Sequence, residues 1–357
     1  MPYTLRTGRM SRGLLAVALL LLVGLVPARA EARSGWEAPR PGPLPGSFPV
    51  TPHDDVDDAV RASAAGVRRL RARASVAVRY ASDGTPIRVE VSPAYAPDPA
   101  AEQALVDFLA GRLHGAELTR LTVLVATPAE IEAECGQGVL GCYAPSLSTM
   151  LVPGEDTPGA EPKEFVVTHE LGHHVATHRS NAPWTAADTG PKRWASYERV
   201  CEGLAGGELG TGYLDDPSEG FAQSYALLHY REAAFGYTPL LTPDAGSFEA
   251  IEADVREPWT GPKRRTLTGR VSRRGARRYR SFRVATGLDG SATFALRGPR
   301  GTDLDIWVMD GRRILAQNLQ RGSGGFVKAR VCGQGAVTVV VGSYRGAGRF
   351  RVTARTP

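Results

Sequence analysis

Cysteine is scarce in this chain, with four in 357 residues, and their spacings match no thiolate zinc pattern. A bound metal must therefore be sought among histidines and carboxylates. Long apolar runs are also missing. The longest, residues 14–26, is too short to span a bilayer, and no other segment comes closer. Acidic side chains all but vanish after residue 260: residues 261–357 hold 21 Lys and Arg against 4 Asp and Glu, a net charge of +17. The whole chain carries only +6, so the preceding 260 residues are acidic, at −11. The basic stretch is rich in Arg, poor in aromatics and carries no nucleic-acid motif, which argues against DNA or RNA as a partner.

The apolar run has a meaning of its own. Arg6, Arg9 and Arg12 precede it, and Ala28-Arg29-Ala30 follows with the small-x-small pattern of a cleavage site. Residues 1–30 read as a signal peptide, with an uncleaved anchor as the alternative. The expected product is secreted and has no membrane span after cleavage. Export permits disulfides. Cys135 and Cys142 bracket a flexible Gly-rich loop that closes easily, which leaves Cys201 and Cys332, although three pairings remain open.

One stretch names a chemistry. His169-Glu170-Leu171-Gly172-His173 matches H-E-x-x-H. In a helix of about 3.6 residues per turn, residues four apart share one face, so both imidazoles can close on one Zn2+ ion. Glu170 is rotated about 100° from His169 and can reach a water on the metal without ligating it. Phe165, Val166 and Val167 suit a buried helix, and Gly172 leaves room for close backbone packing. His174 and His178 point away from the metal face and are expected to be exposed or capping.

A third ligand is needed. The metzincin extension fails, because positions 176 and 179 are Ala and Arg. Downstream, Asp216 reads as a helix N-cap with Pro217 at the first helical position. There the chain resembles the gluzincins, zinc peptidases whose third ligand is a Glu on a later helix, and Glu219 occupies the matching place. The resemblance implies a helix residue four positions on that orients the first His; here it is Gln223, an amide where the family has an acid. Glu219 has a competing use, since Asp216-x-x-Glu219 is also a capping box. Asp215, Glu202 and Glu208 are the fallback ligands.

The resemblance implies peptide-bond hydrolysis, with His169, His173 and Glu219 holding zinc and Glu170 as general base. Tyr213, Tyr225 and His229 are candidates for a donor to the oxyanion, Tyr225 foremost. A short strand over 148–152, stopped by Pro153-Gly154, reads either as the edge strand that pairs with an extended substrate or as an ordinary core strand.

Residues 31–74 read as a Pro-rich linker that doubles as a removable pro-segment, with Asp54, Asp55, Asp57 and Asp58 opening a helix toward Arg73. Strands at 76–80, 87–91 and 121–126 and helices at 99–113, 128–134 and 163–178 give an α+β, zincin-like domain over 75–257. A linker is expected at 258–266. Over 267–357, short alternating runs at 279–285, 291–296, 304–309, 336–341 and 350–353 predict an all-β sandwich, jelly-roll-like. The segments around Gly298-Pro299-Arg300-Gly301-Thr302-Asp303 and Tyr344-Arg345-Gly346 resemble the bacterial pre-peptidase C-terminal domain. Its charge suggests docking on an anionic cell-envelope surface, or attraction to the acidic domain before it. Two functions follow as expectations: a secreted zinc peptidase acting on peptides or proteins, or a polyanion-binding secreted protein with an inactive zincin domain.

Overall fold

The computed structural model of the protein describes residues 35–42, 44, 63–231 and 241–357. The expected signal peptide and the aspartates at 54–58 lie outside those residues. The first half runs α1 (Ala64–Arg71), β1 (Ser75–Tyr80), β2 (Pro86–Val91), α2 (Pro99–Ala110), β3 (Thr122–Ala126), α3 (Pro128–Cys135), β4 (Cys142–Ala144), β5 (Thr149–Pro153) and α4 (Lys163–Thr177). Helices α5 (Ala186–Thr189), α6 (Lys192–Tyr197), α7 (Val200–Gly206), α8 (Pro217–His229) and α9 (Ala245–Arg256) follow.

Local chemistry sets these boundaries. Gly84, at φ +84°, turns the β1–β2 hairpin, and Asp83 accepts a hydrogen bond from the Thr85 backbone N–H. Asp98 caps α2 ahead of Pro99, and Thr127 with Glu130 forms a capping box on α3. Strand β3 is buried along its whole length because both its neighbours run parallel to it and helices cover both faces.

The sheet order is β1-β2-β3-β5-β4, with antiparallel strands at both edges. On one face Val123, Val125, Met150 and Val152 pack with α2, α4 and α8 through Leu105, Val167, Leu171 and Phe221. On the other, Leu124, Ala126 and Leu151 meet Val67 of α1 and Ile131 of α3. Strand β5, which takes up residues 149–152 of the expected 148–152 strand, lies between β3 and β4 and is an interior strand. The edge-strand reading of that segment is overturned, and the edge on that side is β4.

The segment expected as linker and pro-segment over 31–74 is partly built into this domain. Trp36 is buried against Tyr95 and Gly154, and the Glu37 N–H donates to the Gly154 carbonyl at 3.0 Å. Arg71 of α1 forks onto the buried Glu90 carboxylate.

The second half is all β: β6 (Lys263–Val271), β7 (Tyr279–Ala285), β8 (Gly290–Arg297), β9 (Asp303–Asp310), β10 (Arg313–Asn318), β11 (Gly324–Val331), β12 (Ala336–Arg345) and β13 (Gly348–Thr356). Two antiparallel four-stranded sheets, β10-β9-β12-β7 and β11-β8-β13-β6, share one apolar core that includes Phe294, Ile306, Val339 and Val352. Pairs β6–β13, β7–β12, β8–β11 and β9–β10 nest as one long hairpin rolled over itself, the jelly-roll pattern. The expected linker at 258–266 is shortened, because β6 begins at Lys263. Among the described residues no helix is long and apolar enough to cross a membrane.

The halves meet at a built junction. Lys192 is fully buried there; its ammonium donates to Asn181 Oδ1 (3.1 Å) and to the carbonyls of Ala182 and Asp289 (both 2.7 Å). Disulfides join Cys135 to Cys142 and Cys201 to Cys332, so the second bridge ties α7 to the sandwich and the pairing left open by sequence is resolved.

Candidate metal centre

Helix α4 is buried almost all round, from Lys163 through Gly172 and again from His174 to Ala176. Such a helix has covered neighbours on every side rather than one wet face. One neighbour is α8, and their closest approach is at Gly172. A Cβ there would lie 2.9 Å from Ala222 Cα and 3.2 Å from Tyr225 Cβ, so glycine alone lets the two backbones come this near.

That approach brings three side chains together. Asp216 caps α8 through its bond from the Ser218 N–H at 2.7 Å, with Pro217 at the first position. Glu219 does not fold back onto this cap, so the capping-box use does not occur. Its Oε2 lies 3.1 Å from His169 Nε2 and its Oε1 3.4 Å from His173 Nε2. All three ligand atoms fall within 4.8 Å of one another. One turn along α8, Gln223 Oε1 accepts from His169 Nδ1 at 3.2 Å. Ser218 Oγ sits 3.4 Å from His173 Nδ1.

These bonds fix the chemistry of the cluster. With the proton of His169 on Nδ1, its Nε2 presents a lone pair toward a carboxylate oxygen. A carboxylate facing two imidazole nitrogens in a buried place is satisfied either by a proton on a ring or by a cation held between them. Glu170 adds a second sign. Its Oε2 is buried with no hydrogen-bond partner among the described residues, beside the three converging groups. Two imidazoles and a carboxylate, with an orphaned carboxylate oxygen alongside, are a donor set that could hold a metal ion. Burial pushes the Glu170 carboxyl up to about 8, helped by the Glu219 charge and opposed by His169. Burial also pushes Glu219 upward, but the charges and hydrogen bonds of His173 and His169 outweigh it and hold Glu219 well below the usual carboxylate range.

The cleft over this cluster is lined by Val139, Leu140 and Gly141, from the loop closed by the Cys135–Cys142 bridge, and by Glu161, Phe165 and Tyr213. Those wall residues carry no motif. The two bracketing cysteines were the one sequence signal that the loop is shaped. A Cβ on Gly141 would lie 2.7 Å from Val166 and 3.1 Å from Glu170 Oε1, so this glycine keeps the space beside the orphaned carboxylate open.

Several expectations are corrected. Tyr225 is buried away from the cluster, its hydroxyl donating to the Leu113 carbonyl, and His229 accepts from the Leu113 N–H at 3.2 Å. Of the three oxyanion candidates, Tyr213 alone lines the cleft. His174 is neither exposed nor capping: Nε2 donates to the Glu117 carbonyl at 2.9 Å, and Nδ1 accepts the Tyr143 hydroxyl at 2.9 Å. Burial draws its pKa down to about 4. The physical reason is that β4 and the 116–120 turn cover the α4 face opposite the His169–His173–Glu219 cluster. His178 is the C-cap residue of α4. The fallback acids stand elsewhere, Glu202 paired with Arg199, Glu208 exposed and Asp215 against Gly210 and Gly212. Cys201, Cys332 and Asp289 also cluster, but both sulfurs are committed to the disulfide.

No family model matches this chain, and no curated protein matches it. Solved structures similar to part of it include the Yersinia pseudotuberculosis-derived mitogen, at 12% identity over 27% of this chain and 87% of that one, TM-score 0.23. Another is the Clostridium thermocellum endo-1,4-beta-D-xylanase 10B CBM22-1-GH10 modules, at 13% identity over 27% of this chain and 26% of that one, TM-score 0.15. Likenesses this slight bear on neither mechanism nor substrate.

Proposed function

We propose that this protein is a secreted zinc metallopeptidase of gluzincin type, with a zincin-like catalytic domain ahead of the sandwich. The observation that carries the reading is the convergence of His169 Nε2, His173 Nε2 and both Glu219 oxygens beside the unpartnered Glu170 Oε2. His169, His173 and Glu219 would hold a zinc ion, which would supply Lewis acidity toward a scissile carbonyl and a nearby water. Glu170 receives the water's proton at Oε2 and returns it to the leaving amine. Gln223 keeps His169 in the tautomer whose Nε2 faces the metal. Strand β4 has one side paired to β5, and an extended peptide can add to its free side along the cleft. Tyr213 is the donor from this chain proposed for the developing oxyanion. Two disulfides fit an oxidising, extracytoplasmic setting.

The test is metal analysis joined to peptide-library cleavage, on the wild-type protein and on Glu170→Gln. One zinc per chain in both, with cleavage by the variant slowed by about 10²–10⁴-fold, supports the assignment. Equal cleavage by the two proteins, or no bound zinc in either, removes it.

A further inference from the structure

We infer that the outer face of the β11-β8-β13-β6 sheet is a docking surface for a phosphodiester-linked anionic polymer of the cell wall. Residues directly opposed in an antiparallel pair project to the same side. On the outer side of β13, Arg349 stands opposite Arg270 and Arg355 opposite Arg264 of β6, while Arg351 stands opposite Arg297 of β8. All six guanidinium groups are exposed. None of the four strands contains a single Asp or Glu. Among the described residues, none of these six arginines makes an ion pair.

Like charges set directly across a ladder destabilise a sheet. Three such pairs on one face, with no acidic partner among the described residues, therefore have no structural explanation. Solubility does not call for them either, since it is served by charges of both signs interspersed. Attraction to the acidic half of the chain does not account for them either: Arg330 of β11 reaches that half over Trp184, but none of the six arginines forms an ion pair with an acid there among the described residues. The opposite sheet shows the contrast: its β9 strand alone carries Asp303, Asp305 and Asp310.

The face also has shape. Arg270, Arg297, Arg349 and Arg351 line a groove of about 670 Å³, with Thr268 and Pro299 in its wall. Guanidinium groups pair bidentately with phosphate oxygens, and the threonine hydroxyl adds a neutral hydrogen-bonding partner for a polyol backbone. Along β13, Arg349 and Arg351 are two residues apart, about 6.8 Å in an extended strand, and Arg355 continues the row. A linear polymer with one charge per repeat engages several of them at once, and simultaneous weak contacts multiply. A lipid bilayer is a poorer match, since the only exposed large apolar side chain on this face is Phe326. The disulfides favour a compartment outside the cytoplasm, away from the bulk of the cell's nucleic acid.

The test uses the full chain and immobilised poly(glycerol phosphate). Binding is expected to weaken on the order of 10²-fold between about 50 and 200 mM salt, as for several phosphate contacts released together. The variant Arg270→Gln/Arg297→Gln/Arg349→Gln/Arg351→Gln should lose at least about 30-fold in affinity. Its melting temperature should hold or rise, since like-charge pairs are removed. The matched Arg→Lys variant, which keeps the charges but loses the bidentate forks, should bind between the wild type and the Arg→Gln variant, and Arg283→Gln/Arg313→Gln on the opposite sheet should keep all of the binding. The proposal is overturned if the wild-type chain does not bind, or if the Arg→Gln variant binds like the wild type. Tighter binding at equal salt to phosphatidylglycerol vesicles or to single-stranded DNA also overturns it. Glu170→Gln should bind unchanged, so this inference and the peptidase reading stand or fall separately.

Discussion

At the scale of single residues, the least expected group is Gln223, a neutral amide where the gluzincin pattern has an acid. It still accepts from His169 Nδ1, so it sets the tautomer while lending the imidazole less electron density than a carboxylate would. Gln223→Ala should weaken zinc binding by about 10–100-fold in a chelator competition, and Gln223→Glu should bind zinc at least as tightly as wild type. Equal affinity in Gln223→Ala would show that this hydrogen bond orients nothing. His229 gives a pH prediction. Burial, then Arg112 and Arg231, lower its pKa to about 3, against an unfolded value near 6.5. Its folded form stays neutral and accepts the Leu113 N–H, whereas the unfolded form binds a proton as pH falls below about 6.5. This group's share of stability is complete above pH 6.5 and declines toward pH 3, by about 1.4 kcal/mol per pH unit. Urea unfolding at pH 7 and pH 4.5 should show a smaller difference in His229→Gln than in wild type. That His169 and His173 share one face was legible in the sequence because helix periodicity fixes a face from spacing alone, whereas Glu219 was placed beside them only by the gluzincin resemblance. His174 and Tyr225 were not, because spacing says which way a side chain leaves its helix and nothing about what covers it there.

At the scale of elements, the centre exists because α4 and α8 cross with almost no gap. Gly172→Val should push Ala222 away and spread His169 and His173 from Glu219. The expected result is a loss of about 1–3 kcal/mol of unfolding free energy together with weaker zinc binding, measured on the same protein by denaturation and metal titration. Loss of stability with unaltered zinc affinity would mean the crossing does not set the ligand distances. The strands show where the sequence signal ends. The segment at 148–152 was ambiguous because a fully apolar run fits both an edge and an interior strand, and the three-residue β4 beside it has too little pattern to read. In the sandwich, β6 carries little inward apolar pattern because most of its residues are exposed, the basic outer row among them. Strand β11 escaped notice although Val327, Ala329 and Val331 alternate with Lys328 and Arg330, a period-2 signal that was present and sufficient.

At the scale of the molecule, charge and turn composition separated the acidic α+β half from the basic sandwich, yet implied a looser link than the one formed. Burying Lys192 is favourable only while Asn181, Ala182 and Asp289 all face it, and those acceptors come from both halves. The Cys201–Cys332 bridge closes the same junction over a sequence separation of 131 residues. Chain-entropy reasoning assigns a loop of that length about 5 kcal/mol of stabilisation through the unfolded state, and measured losses for native bridges are about 2–5 kcal/mol. The double variant Cys201→Ser/Cys332→Ser should therefore unfold at lower denaturant, by an amount in that range, and the reduced wild type should match it. Zinc affinity should hold, because α4 and α8 draw their ligands together within a different core. If the variant lost less than about 1 kcal/mol, Lys192 and its carbonyls would be the main fastening. Lys192→Met, which leaves those carbonyls without their shared donor, should then be the more damaging change of the two.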